Sequence, residues 1–439
     1  MATELLKYID GSASPYHAVA VTRRLLNAAG FEELLESSAW KLSPGGKYYT
    51  TRGGRTIVAW VMGNKPTHNN GMRILGAHTD SPVLKVRPNP DSRGRGMSLL
   101  TTEIYGSPLL HTWLDRDLKL AGALYCRNGD QLSVALVDDS EILLRANSLA
   151  PHLRKDKTFD GLVIDRHKDM SLVVSADDQL SFGDLLAVLS ERVGVSPQEV
   201  VEFDLSLADA SASSLTGLNS EFISAPRLDN LFSCYVGLRA LIDTPARDTT
   251  SILCLYDSEE IGSQTWTGAR SDPFTSTMER IHQSFQMTGD QAAQARAKSV
   301  FVSADMAHAE HYSFTDATDE MHVPVINKGL AIKNGARGNY AIGFPAAAWF
   351  RSVCRDAGLG LQSFMYRCDH GAGSSVGPMV TTSAGIAGID VGSPMLAMHS
   401  IRELAGVKDI ELCTQAFQAF YRSELAFSSE MYAHEGKPR

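Results

Sequence analysis

The sequence predicts an α/β protein: a mixed, largely parallel sheet flanked by helices and interrupted by a β-rich insertion. Three observations carry this expectation. Near-continuous apolar runs such as Thr56–Met62 and Met72–Ala77 have the character of strands covered on both faces. From Leu228 onward, such runs alternate with helical periods, as when helices pack on both sides of a sheet. Between about residues 90 and 221 the stretches are shorter and alternate polar with apolar residues. At 439 residues the chain is too long for one ordinary core. The expected division is a discontinuous α/β domain, 1–90 and 222–439, with a β-rich domain, 91–221, inserted into it.

The elements follow in order. Ser14 as N-cap and Pro15 at the first helical position open a helix to Ala29, and Gly30 stops it. Two strands, 56–62 and 72–77, are split by a polar turn, 63–71. The run Pro88-Asn-Pro-Asp-Ser-Arg-Gly-Arg-Gly96 reads as a loop at the domain boundary. Strands are then expected near 121–126, 131–137, 161–164 and 171–174, with an amphipathic helix near 182–193. The second half should hold a helix from 228 to about 241. Strands near 251–256, 299–304, 362–367 and 386–391 should alternate there with helices near 276–286, 345–357 and 408–426.

Composition excludes several classes. The apolar fraction of 44% is ordinary for a globular protein, and no apolar run approaches the ~20 residues that span a bilayer. A net charge of −9 without a basic stripe disfavours nucleic acid. The N-terminus lacks the basic and apolar regions of a secretory signal. The six cysteines form no Cys-x-x-Cys pair, and Cys234, Cys254 and Cys413 fall in apolar-periodic segments that suit buried thiols. A cytoplasmic protein is expected.

Five side chains of metal-ligand type lie beside the ends of apolar runs: His78, Asp229, Glu260, Asp305 and His399. Imidazole and carboxylate without cysteine suit zinc or a similar divalent ion. In open α/β sheets, ligands bind beyond the carboxyl ends of the strands. Three expected strands deliver acid or imidazole at that end: His78 and Asp80, then Asp257, Glu259 and Glu260, then Asp305. The period of two in His78-Thr-Asp80 lets Asp80 face the His78 nitrogen that points away from a metal. Glu259 is the spare carboxylate, available as a general base. His308 and His311 read as supporting or structural residues. The constellation points to a two-metal hydrolase.

Two other motifs compete. Gly373-Ser-Ser-Val-Gly377 matches the nucleophile elbow of a serine hydrolase, with Ser375 as nucleophile. His-Glu-x-x-His is absent, against a helix-borne single zinc. A catalytically idle scaffold that kept the metal shell, and a carboxypeptidase using the same shell, are the remaining alternatives.

Seven blocks occur in order: Ser14-Pro-Tyr-His17, His78-Thr-Asp-Ser-Pro82, Trp113-Leu-Asp-Arg-Asp117, Ala225-Pro-Arg-Leu-Asp-Asn230, Asp257-Ser-Glu-Glu-Ile-Gly-Ser263, Ser303-Ala-Asp305 and Met398-His-Ser-Ile-Arg-Glu403. By these the chain resembles the M18 metallo-aminopeptidases, the aspartyl aminopeptidases. The resemblance implies a dinuclear zinc exopeptidase fold whose insertion makes a dimer contact, in dodecamers built of dimers. It implies two divalent ions, one held by His78 and Asp305, the other by Glu260 and His399, with Asp229 bridging. Glu259 would be the general base and Asp80 would orient His78. The implied substrates are peptides with an N-terminal Asp or Glu. Lys333, before Tyr340, matches the position that meets the acidic side chain, and His152 matches a histidine sent toward the partner's site. The chain departs from the family pattern at Asn339, Met306 and Asp369-His-Gly-Ala-Gly373, none of them an implied ligand.

Overall fold

A computed structural model describes residues 1–153, 162–371 and 373–430. Its centre is a nine-stranded sheet. The strand order is Glu32–Glu33, Lys47–Arg52, Thr56–Val61, Thr250–Tyr256, Met72–His78, Val300–Ala304, Ala387–Gly392, Ala331–Asn334 and Gln362–Met365. Five of its eight pairings are parallel and three antiparallel. The mixed, largely parallel sheet expected from the sequence is present.

Strand residues divide by parity between two cores, as the period of two requires. Ile57, Ala59, Val61, Leu75, Ala77, Leu253, Leu255, Val300 and Val302 face one core. That core also takes residues of the helices Ala2–Asp10, Pro15–Ala28, Leu228–Ile242, Phe344–Asp356 and Val407–Arg422. Val58, Trp60, Ile74, Ile252, Cys254 and Phe301 face the other, against helices Pro273–Ser284 and Val376–Ala384. Five cysteines are buried, with Cys368 the exposed one. Among the described residues no helix is long and apolar enough to cross a membrane.

Six strands between Val83 and Asp209 form a separate sheet with its own apolar core. Its order is Gln131–Leu144, Leu118–Asn128, Val200–Asp209, Val83–Gly94, Met97–Tyr105 and Leu172–Ser175. A five-stranded ribbon, Ser214–Thr216, Phe222–Ala225, Glu403–Gly406, Pro394–Leu396 and Ala307–His308, includes the strand that leads into His399.

Two expectations need correction. Pro88–Gly96 is not a loop but largely the end of strand Val83–Gly94. The pairing shifts register between Val86 and Asp91, so Pro88 and Pro90 sit where the ladder asks for no N–H. The turn itself is Arg95-Gly96, both at positive φ. The strand expected at 161–164 is absent over 162–164, and residue 161 lies outside the described residues. Leu172–Ser175 takes the available edge of Met97–Tyr105 instead. Pattern reading also passed over the helices Ala2–Asp10 and Gly289–Ala297 and the strands Val200–Asp209 and Ala331–Asn334.

Gly392 lets the strand ending there approach the segment that leaves the sheet at Asp305, whose N–H donates to Val391 O at 2.9 Å. A Cβ at 392 would overlap the Asp305 carbonyl oxygen and lie 2.8 Å from Ala307 N. Gly392→Ala should therefore destabilise the fold by about 1–3 kcal/mol, the scale of overpacking, read as a shift in denaturant midpoint.

Candidate metal centre

Three adjacent parallel strands end on the same edge of the central sheet. Met72–His78 lies between Thr250–Tyr256 and Val300–Ala304, so His78 emerges between the Glu259-Glu260 turn and Asp305. Asp229 arrives from outside the sheet. It begins the helix Leu228–Ile242 with non-helical backbone, and its neighbour Asn230 donates to Ala304 O at 2.8 Å. His399 comes from the loop after Pro394–Leu396, and its Nδ1 lies 3.1 Å from Ser107 O, just beyond the six-stranded sheet.

The five expected ligands meet. His78 Nε2 lies 3.4 Å from Asp229 Oδ1 and 3.5 Å from Asp305 Oδ1. His399 Nε2 lies 3.6 Å from Asp229 Oδ2 and 3.4 Å from Glu260 Oε1. These separations exceed the usual ~2.7–3.2 Å N–H···O hydrogen bond. They match the ~3.3 Å edge of a tetrahedron whose centre is ~2.0–2.1 Å from each donor, as around zinc. Asp229 Oδ1 and Glu260 Oε1 are buried and accept no hydrogen bond, although buried carboxylate oxygens ordinarily find donors. Groups able to hold an ion are His78–Asp229–Asp305, Asp229–Glu260–His399 and His78–Glu259–Glu260, each with donor atoms within 4.8 Å of one another. The residues fit a divalent cation.

The electrostatics of the metal-free chain point the same way. Burial, then repulsion from Asp305, Glu260 and Asp80, outweighs the pull of His78 and holds the Glu259 carboxyl well above its ordinary range. Burial pushes Glu260 up to about 7 against the lowering contact with His399. Burial alone would lower His399, but Asp229 and Glu260 raise it to about 11. Asp229 resists its own burial because both histidines hold it far below the carboxylate range.

Asp80 does more than the sequence suggested. His78 Nδ1 is 3.0 Å from the Asp80 carbonyl oxygen and 3.4 Å from Oδ1. The Asp80 carboxylate also accepts the backbone N–H of Glu259 at 3.0 Å, that of Glu260 at 3.1 Å, and the Tyr105 hydroxyl at 2.7 Å. Glu403 was missed by pattern reading. Buried, it accepts the N–H of His399 at 2.7 Å and of Asp229 at 3.0 Å. Its only signal was a carboxylate four residues after His399.

The remaining candidates fall in different places. Lys333 is buried, 2.9 Å from Asp305 Oδ2 and 5.3 Å from the centre of the Tyr340 ring. His152 is exposed on the turn Pro151–Leu153 and makes no hydrogen bond to the cluster among the described residues. His308 bonds Tyr366 at 3.0 Å, and His311 accepts from Ser313 N. Ser375 does not fit a nucleophile: it is fully buried and caps the helix Val376–Ala384 through a bond from Gly377 N at 3.3 Å.

A central α/β sheet with an imidazole–carboxylate centre at its carboxyl edge defines a metal-dependent aminopeptidase once set beside known proteins. A family model described as aminopeptidase I zinc metalloprotease (M18) matches residues 8–421, and the chain belongs to that family. A probable M18 family aminopeptidase 2 of Ectopseudomonas mendocina (strain ymp) is 36% identical over 423 residues, 95% of this chain and 97% of the relative. The chain in the cryo-EM structure of the Ape4 and Nbr1 complex superposes with a TM-score of 0.91 at 31% identity, over 96% of this chain and 85% of that one. The S. cerevisiae mApe1 dodecamer gives 0.83 at 28% identity, over 96% of each chain.

Glu403→Gln leaves one acceptor oxygen for two backbone donors. Metal affinity should fall about 10–100-fold, the scale for losing a group that orients ligands. Competition against a calibrated chelator measures it.

Proposed function

We propose that the chain is a two-metal aminopeptidase that prefers N-terminal Asp or Glu and works in the cytoplasm as a homo-oligomer. The observation that carries the two-ion reading is Asp229: its two oxygens face different histidines at 3.4 and 3.6 Å. His78, Asp229 and Asp305 would hold one ion, and Asp229, Glu260 and His399 the other. When bound, the dications, zinc being the family's metal, polarise the scissile carbonyl and anchor the free α-amine.

The protein's own groups do the rest. Glu259 takes the proton of the attacking water and returns it to the leaving amine. Its main chain is fixed by Asp80, which keeps the carboxylate aimed at the reacting centre. The Asp80 carbonyl accepts from His78 Nδ1, leaving the Nε2 lone pair free toward Asp229 and Asp305. Lys333 is the cation that would meet an acidic substrate side chain; its ammonium lies beside the cluster, 2.9 Å from Asp305 Oδ2. His152 serves the site of a second copy. Supporting this, Gln131–Leu144 is a long strand at the edge of the six-stranded sheet, with Leu132, Val134 and Leu143 exposed. Such an edge is ordinarily covered.

Exhaustive chelation should abolish release of N-terminal residues, and divalent metal should restore it; blocking the substrate's α-amine should abolish it as well. Glu259→Gln should keep two metals per chain by elemental analysis while kcat falls ~10²–10⁴-fold. One ion per fully active chain would refute the two-metal reading. Across a panel of N-terminal residues, Lys333→Met should lower kcat/KM for Asp and Glu by at least about tenfold more than for Ala or Leu, on the scale of losing a charged partner. An equal fall for all would remove Lys333 from recognition.

A further inference from the structure

Arg55 belongs to neither the ligand set nor the cores. It sits between the strands Lys47–Arg52 and Thr56–Val61, stacked on the Tyr16 ring at 5.2 Å. Its guanidinium joins two acids from different sheets. NH1 donates to Asp204 Oδ2 at 3.0 Å, NH2 donates to Asp257 Oδ1 at 3.0 Å, and Nε lies 3.0 Å from Asp257 Oδ2. Asp204 is on Val200–Asp209 of the six-stranded sheet. Asp257 follows the central strand Thr250–Tyr256, two residues before Glu259.

Both ends are built in. Asp204 also binds Lys85 at 2.5 Å and the Tyr16 hydroxyl at 2.9 Å, and that hydroxyl lies 2.8 Å from Tyr125 OH. Asp257 is fully buried and accepts Ser258 Oγ at 2.9 Å and Thr267 Oγ1 at 2.7 Å. A second route runs alongside. Tyr105, from the same six-stranded sheet, donates to Asp80, which holds the N–H groups of Glu259 and Glu260. The 257–260 turn is thus gripped from two sides by residues anchored in one neighbouring sheet. Ser258, within it, has φ 63°, a conformation a non-glycine residue keeps only when its surroundings impose it.

We infer that Arg55 is a positioning residue for Glu259: by tying Asp204 to Asp257 it makes the aim of the catalytic carboxylate depend on the seating of the six-stranded sheet. This rests on the reading of Glu259 as the base. A planar cation with one donor for each acid suits the task, because its fixed fork sets direction as well as distance. A carboxylate displaced by ~1 Å can lose ~10²-fold in rate with binding intact.

The test uses full-length Arg55→Met, Asp204→Asn, Glu259→Gln and the double variants with Glu259→Gln, assayed by residue release from an unblocked dipeptide, with metal per chain measured for each. Arg55→Met and Asp204→Asn should lower kcat about 10–100-fold, with KM within about twofold and metal unchanged. In the Glu259→Gln background neither should lower kcat further, because a group acting through Glu259 has nothing left to position. Additive losses, or unchanged kcat in both single variants, would overturn the inference. Should Arg55→Met not fold because buried Asp257 loses its cation, Asp204→Asn, whose position keeps Lys85 and Tyr16 beside it, carries the same test. Near-normal turnover of Glu259→Gln would instead overturn the base assignment.

Discussion

The structure turns on the cost of gathering like charges out of water. Asp80, Asp229, Glu260 and Asp305 lie with Glu259 around two imidazoles, and most of them are buried. Ionised carboxylates so placed repel each other and lose hydration together. Burial and mutual repulsion hold the Glu259 and Glu260 carboxyls above their ordinary range, while the surrounding acids raise His78 and His399 against their burial. A divalent cation there would supply the balancing charge in a form that can polarise a substrate. Asp229 and Glu260 each keep a buried oxygen without a donor, which fits a site shaped for something other than hydrogen.

Neutralising the cluster does not aim it, and that task falls to two carboxylates, Asp80 within it and Glu403 behind it. Asp80 gathers the N–H groups of Glu259 and Glu260. Glu403 gathers those of Asp229 and His399. Each binds two stretches of main chain rather than a single side chain, so directions are set before any ligand is bound. Burial pushes Glu403 up to about 8, with the Asp229 charge adding to it against the lowering of the two N–H bonds. This is consistent with a group kept for geometry at an electrostatic cost.

Much of this was legible in the chain. Residue type and position after apolar runs found all five side chains that now meet within 3.4–3.6 Å contacts. The reason is physical: parallel strands must end somewhere, and their carboxyl ends share an edge. The near-continuous apolar runs 56–62 and 72–77 likewise foretold strands covered on both faces. What stayed hidden was carried by register and long-range pairing. No local pattern says that Pro88 and Pro90 fall on a bulge. Nor does one say that Asp204 returns beside Arg55 across 149 residues, or that Ser375 spends its hydroxyl capping a helix.

The backbone at the site argues that this order is imposed rather than intrinsic. Arg227, Ser258 and His399, each beside or among the proposed ligands, take positive φ of 56°, 63° and 68°. Each such residue costs on the order of 1 kcal/mol or more in an L-amino acid. Glycine would remove the strain at 227 or 258, but would also release the chain that the neighbouring hydrogen bonds restrain. Arg227 instead extends a donor to Ile9 O at 3.3 Å, and His399 is held at its N–H by Glu403 and at its carbonyl by Leu109 N. The conformation is over-determined at the points where ligands must be aimed. Residues delivered by two sheets and a helix start are therefore held as one cluster, because the main chain between them has few other shapes to adopt.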